Sequence, residues 1–181
     1  MLQFGAIQRA LFCDNSNAWR RRVPRRTPDI IWPAFVRGMA ADRFILDASV
    51  ALEWFLPGDA QGTAYAAEVL ASIEAGSHSP TVPELWHFEI ASALLAAKRD
   101  RRISATKLRN AAAQLTDLQP ETLSVQLTAS QLIDAGKRYH LQGYDAVYFE
   151  LARRLRAPIA SLDGGIRTAC RAHDVKLLHI D

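Results

Sequence analysis

Four acidic residues stand where carboxylate chemistry could be done. Asp47 ends the run Phe44-Ile45-Leu46-Asp47, and Glu89 lies inside Leu85-Trp86-His87-Phe88-Glu89-Ile90-Ala91. Asp145 opens a helical stretch in Gly143-Tyr144-Asp145-Ala146-Val147-Tyr148, and Asp163 ends Ile159-Ala160-Ser161-Leu162-Asp163. Residues expected to be buried flank each of them, and no lysine or arginine is expected close enough in sequence to neutralise them. An ionised carboxylate taken out of water is disfavoured unless something cationic compensates it. A shared divalent cation is the economical answer, and hard ions such as Mg²⁺ or Mn²⁺ prefer an all-oxygen environment. The five histidines show no ligand-pair spacing, and Cys13 and Cys170 form no C-x-x-C, so oxygen is the expected donor.

Each acid taken alone has an ordinary explanation. Asp47 could cap the following helix, although Ser49 is better placed for that. Glu89 has no cation at i±3 or i±4, since Leu85, Trp86, Ser92 and Ala93 fill those places, yet it could sit on a solvated helix face. Asp145 could serve the helix dipole. Asp163, before Gly164-Gly165, could be a turn aspartate, with the glycines allowing a sharp bend. Brought together, the four carry a formal charge that cannot persist without cations or raised pKa values.

The elements that must position these residues alternate in kind. Phe44 to Asp47 reads as a strand, and Val50, Ala51, Trp54 and Phe55 form the stripe of a short helix stopped by Pro57-Gly58. A helix over 60–75 ends at Gly76, 79–82 is extended, and a long helix spans 84–99. Ser104 caps the next helix, which ends before Pro120. Thr122 to Val125 alternates like a strand, helices follow over 129–139 and 145–155, and Ile159–Leu162 and Val175–His179 are strands around a helix over 166–172. This alternation predicts a three-layer α/β/α sandwich with a mostly parallel sheet. Two aspartates at strand ends then point into the crevice where open α/β sheets bind ligands.

At 181 residues the chain suits one domain after a distinct N-terminal extension. Residues 1–41 hold seven arginines against Asp14 and Asp29, a net of +5; the chain carries +3, so 42–181 carries −2. The basic pI therefore belongs to the extension, and it is no argument for nucleic-acid binding by the domain. The extension could be a basic RNA-binding arm, a targeting peptide, or sequence upstream of a true start at Met39; the run Met39-Ala40-Ala41-Asp42-Arg43 into the first strand favours the last. Without a membrane-length apolar run, and with two unpaired cysteines, the expected location is the cytoplasm.

Over residues 42–181 the chain resembles the PIN-domain family, most closely the VapC-type toxins of bacterial toxin–antitoxin pairs. Four stretches carry the resemblance: Phe44 to Ser49, Pro83 to Ala91, Tyr144 to Tyr148 and Ala160 to Asp163, in that order. It implies a metal-dependent endoribonuclease that hydrolyses phosphodiester bonds in tRNA or rRNA. Asp47 and Asp145 are implied as direct Mg²⁺ (or Mn²⁺) ligands, Glu89 and Asp163 as supporting catalytic acids, and Ser49 and Ser161 as accompanying hydroxyls. Gly164-Gly165 departs from the more usual charged or bulky residues. The resemblance also implies a homodimer and a small protein antitoxin lying across the cleft, in a groove that Trp54, Phe55, Trp86 and Phe88 could line. Rim cations expected to draw in RNA are Lys98, Arg99, Arg101, Arg102, Lys107 and Arg109, with Lys137, Arg138, Arg153, Arg154 and Arg156. The competing reading is a catalytically inactive PIN fold that binds RNA or a partner.

Overall fold

A strand covered on both faces must be apolar along its length, and Phe44-Ile45-Leu46 meets that requirement. In the computed structural model, which describes residues 43–180, this run forms most of β1 (Arg43–Leu46), and its three apolar side chains have no exposed surface. The elements that follow are α1 (Ala48–Glu53), α2 (Ala60–Glu74), β2 (Ser79–Pro83), α3 (Glu84–Arg99), α4 (Ala105–Leu118), β3 (Glu121–Leu123), α5 (Ala129–Tyr139), α6 (Gly143–Leu155), β4 (Ile159–Ala160) and α7 (Gly164–Ala172). The extension, with its arginine cluster, Cys13 and Met39, lies outside the described residues. Among the described residues no helix is long and apolar enough to cross a membrane.

The sheet runs β3-β2-β1-β4 and all its pairings are parallel. Ile45 is the hub, facing Thr81 of β2 on one side and Ile159 of β4 on the other. From β1 the chain steps outward to β2 and β3, then returns past β1 to β4. Right-handed crossovers in opposite directions place α1–α4 and α5–α6 on opposite faces, giving the three-layer α/β/α sandwich. The reversal falls between β1 and β4, so the carboxyl ends of these two strands open the ligand crevice of such sheets.

Local chemistry explains the element ends. Asp59 caps α2 by accepting from the Gln61 and Gly62 N–H groups, and Ser104 caps α4 by accepting from Lys107 N–H at 3.1 Å. Thr128 and Gln131 close a reciprocal capping box at α5. Gly136 matters for a different reason: a Cβ there would sit 2.7 Å from the Leu141 carbonyl oxygen. This close approach lets α5 turn directly into α6, whose Tyr148 and Phe149 are buried in the core.

Several element bounds differ from the sequence expectation, among them the start of α7, at Gly164 rather than at 166. β3 begins at Glu121 because that side chain takes a hydrogen bond from Thr81 Oγ1 at 3.1 Å and an ion pair from Arg43 at 2.9 Å, which pin it opposite β2. α6 begins at Gly143, two residues before the expected start. β4 stops at Ala160, and the expected strand Val175–His179 reduces to one parallel bridge, Leu177 to Ile159. Past Ala160 the chain leaves the sheet, and the Ser161 hydroxyl donates to Asp47 Oδ2.

Candidate active site

Asp47 joins β1 to α1. Its backbone takes the N-cap position, but its side chain makes no capping bond. Two serine hydroxyls donate to Oδ2 instead, Ser49 at 2.5 Å and Ser161 at 2.7 Å. Those hydroxyls in turn accept backbone N–H groups of Leu162 and Asp163, each at 3.0 Å. Ser49 is therefore no N-cap, contrary to the sequence expectation; it lies inside α1 and braces Asp47. Asp47 is 5% exposed. Burial raises its pKa above the ordinary 3.8, the two serine bonds oppose that rise, and the charge of Asp163 adds to it.

Glu89 is half-buried in α3 rather than on a solvated face. The buried Tyr148 of α6 donates its hydroxyl to Glu89 Oε2. Burial raises the Glu89 pKa, the tyrosine bond lowers it, and the charges of Asp47 and Asp145 raise it again. Asp145 lies in the first turn of α6, also half-buried. Its pKa is raised by burial first, then by Asp163 and Asp47, against a backbone hydrogen bond at Gln142.

Asp163 is the N-cap of α7, with Oδ1 accepting Ile166 N–H at 2.8 Å. Gly164-Gly165 makes no sharp bend; both residues belong to α7 and neither takes a positive φ. What the second glycine supplies is space, since a Cβ at 165 would stand 3.0 Å from Asp163 Oδ1.

The four acids are thus electrostatic neighbours: Asp47 and Asp163 act on Asp145, while Asp47 and Asp145 act on Glu89. Among the described residues no three His, Cys, Asp or Glu side chains are grouped closely enough to hold a metal ion as they stand. No lysine or arginine among them pairs with any of the four, the ion pairs being Arg43–Glu121, Arg99–Asp100, and Arg153 and Arg154 with Glu150. Arg99, Arg153 and Arg154, expected on an RNA-binding rim, are therefore engaged by neighbouring acids. An oxygen-only donor set, protonation of Asp47, Glu89 and Asp145 favoured by burial and like charge, and no cationic partner among the described residues together fit a hard divalent ion.

Arg167 corrects the expectation that no cation lies close in sequence. It stands one helical turn beyond Asp163, a spacing visible in the sequence, yet it forms no ion pair with that acid; it borders a separate cavity with Tyr65 and Ser161. The four aromatic residues expected along one groove also separate. Trp86 is in the core, Phe88 is 69% exposed, and Trp54 and Phe55 line a groove of about 460 Å³ with Leu70 and Ile73 of α2 and Leu115 and Leu118 of α4.

No protein-family model matches the chain, and no curated protein matches it. Among solved structures the chain is similar to the crystal structure of PAE2754 from Pyrobaculum aerophilum, with a TM-score of 0.56 and 15% identity over 75% of this chain and 85% of that one. At that identity the likeness is one of fold.

Proposed function

We propose that this chain is a Mg²⁺- or Mn²⁺-dependent endoribonuclease of the PIN-domain family, acting as the toxin of a toxin–antitoxin pair. One observation carries the reading: Asp47, buried at the end of the central strand, shares the electrostatic field of Asp163, Glu89 and Asp145, and no cationic side chain among the described residues pairs with any of them. Asp47 and Asp145 would hold the ion, with Glu89 and Asp163 supporting it or orienting water. A bound divalent ion supplies Lewis acidity toward the scissile phosphate and lowers the pKa of water. The chain's own contribution is orientation. Ser49 and Ser161 fix one oxygen of Asp47, Tyr148 holds Glu89, and the first turn of α7 holds Asp163.

An RNA with an exposed loop is the favoured substrate, because unstacked nucleotides can enter a cleft. The groove beside Trp54 and Phe55 suits a helix of the antitoxin laid in by its apolar face. A homodimer remains part of the proposal on the resemblance alone.

The test is cleavage of RNA by purified protein with Mg²⁺ or with EDTA, using wild type and Asp47→Asn. Cleavage should require the metal and fall by on the order of 100-fold or more in the variant, the scale of losing a main electrostatic group from an active site. Undiminished cleavage by Asp47→Asn defeats the proposed site. Intact RNA together with a melting temperature indifferent to Mg²⁺ would favour the non-catalytic binding module.

A further inference from the structure

Beside the acidic site, and separated from it by Ser161, lies a cavity of about 240 Å³ between α2, the β4–α7 connection and the segment after α7. Ser161 lines the cavity and donates to Asp47 Oδ2, so an occupant would lie next to whatever the acids act on. The volume is well above the ~30 Å³ share of one water and below the ~300 Å³ at which pockets for drug-sized ligands begin. That range suits a single ring system.

The walls say which kind. Leu162, Leu178 and the Tyr65 ring are apolar surfaces, and the Tyr65 hydroxyl is already committed, donating to the Leu178 carbonyl at 3.0 Å. Arg167 has no carboxylate partner among the described residues. Asp59 uses Oδ1 for both of its helix-capping bonds, leaving Oδ2 with no hydrogen-bond donor among the described residues. A phosphate would meet Asp59 at close range and the four acids behind Ser161, so an anion is disfavoured. A neutral flat ring with one edge of acceptors for a guanidinium and one edge of donors for a carboxylate matches Arg167, Asp59 and the apolar walls, with Gln61 and His179 completing the lining. Guanine has both: O6 and N7 accept from arginine, while N1–H and the exocyclic amine donate.

The geometry points to a guanine-base subsite, with Arg167 and Asp59 as its reading residues, that holds an unstacked nucleotide of the RNA strand beside the scissile bond. Its link to the strand rests on the ribonuclease reading; its base preference does not. The two are therefore tested apart.

Binding of the four ribonucleosides, which carry no phosphate, to the full chain in EDTA, followed by ligand-observed NMR or calorimetry, reads the pocket without cleavage. Guanosine should bind roughly tenfold tighter than the other three, the scale of one bidentate base contact. Arg167→Met should abolish that preference with an unchanged melting temperature, while Arg171→Met on the same helix should leave it intact. Absent or equal binding of the four nucleosides, or a preference that survives Arg167→Met in a folded protein, overturns the guanine subsite. Mapping cut sites in a random-sequence RNA with Mg²⁺ then reads the strand: guanine enriched within two nucleotides of the cut supports it, and unbiased cuts overturn the strand assignment. Selective guanosine binding without any cleavage would instead mark failure of the ribonuclease reading, the base pocket standing.

Discussion

Tyr148 donates its hydroxyl to the carboxylate of Glu89, a residue 59 positions earlier in the chain. The bond joins α6 to α3 and opposes the rise that burial imposes on the Glu89 pKa. Tyr148→Phe keeps the ring and removes the donor. Glu89 should then titrate at still higher pH, and the acid limb of the cleavage profile should move the same way. Metal affinity should fall by roughly tenfold, as when a partner that orients a ligand is lost, and stability by about 1 kcal/mol. A pH–rate profile of the variant is the check; an unmoved acid limb would deny the tyrosine this role.

Asp47, Glu89 and Asp145 all have pKa values raised in the folded state, from ordinary values of 3.8, 4.5 and 3.8. The folded chain therefore binds more protons than the unfolded one, and the stabilisation present below these ordinary values is lost as pH rises through the raised folded ones. In EDTA the melting temperature contribution from these groups should decline across that window and level off above it. Mg²⁺ binds the ionised form and should restore stability, by about 2.7 kcal/mol at 100 times its dissociation constant. Asp47→Asn should melt above wild type in EDTA at pH 7, show a shallower pH dependence, and gain little from Mg²⁺. Thermal unfolding with and without the metal measures all three.

Gly165→Ala places a methyl group 3.0 Å from Asp163 Oδ1. The carboxylate must move, weakening its bond to Ile166 N–H. Stability should change by no more than about 1 kcal/mol, the usual value of a helix cap, while cleavage falls because a supporting acid has shifted. Comparing the melting temperature with the cleavage rate separates the two effects, and an unchanged rate would remove Asp163 from the site.

Gly136→Ala should do the reverse. Its Cβ would meet backbone, the Leu141 carbonyl oxygen, at 2.7 Å, and backbone at the α5–α6 turn cannot swing aside. Overpacking of this kind costs roughly 1–3 kcal/mol. Denaturant unfolding should show that loss, while the metal dependence of cleavage at permissive temperature stays as in wild type.

How far each part was legible in the chain follows from the range of the forces involved. The bounds of α3 and α5 were readable because local rules set them, a stripe of apolar residues for one and a capping box for the other. Ile159 to Leu162 has strand composition throughout, but β4 covers only Ile159 and Ala160, and the fold sets the Ser161 hydroxyl against Asp47. The spacing of Arg167 from Asp163 is visible in the sequence, but the cavity that gives this arginine a setting is built from α2, the β4–α7 connection and the segment after α7 and is visible only in the fold.

Residue types and period by themselves determined a parallel α/β sandwich, since burial of both sheet faces demands apolar strands and polar-edged helices, and they placed Asp47 and Asp163 at or just beyond strand ends. Only the tertiary structure decided what surrounds those carboxylates: that Ser49 and Ser161 share one oxygen of Asp47, that Tyr148 reaches Glu89, and that Gly165 leaves room for Asp163. The reason is physical. Hydrogen bonds and desolvation act over a few ångströms, and residues 59 and 114 positions apart, as in Tyr148–Glu89 and Ser161–Asp47, come within that distance only when the sheet and its covering helices are packed.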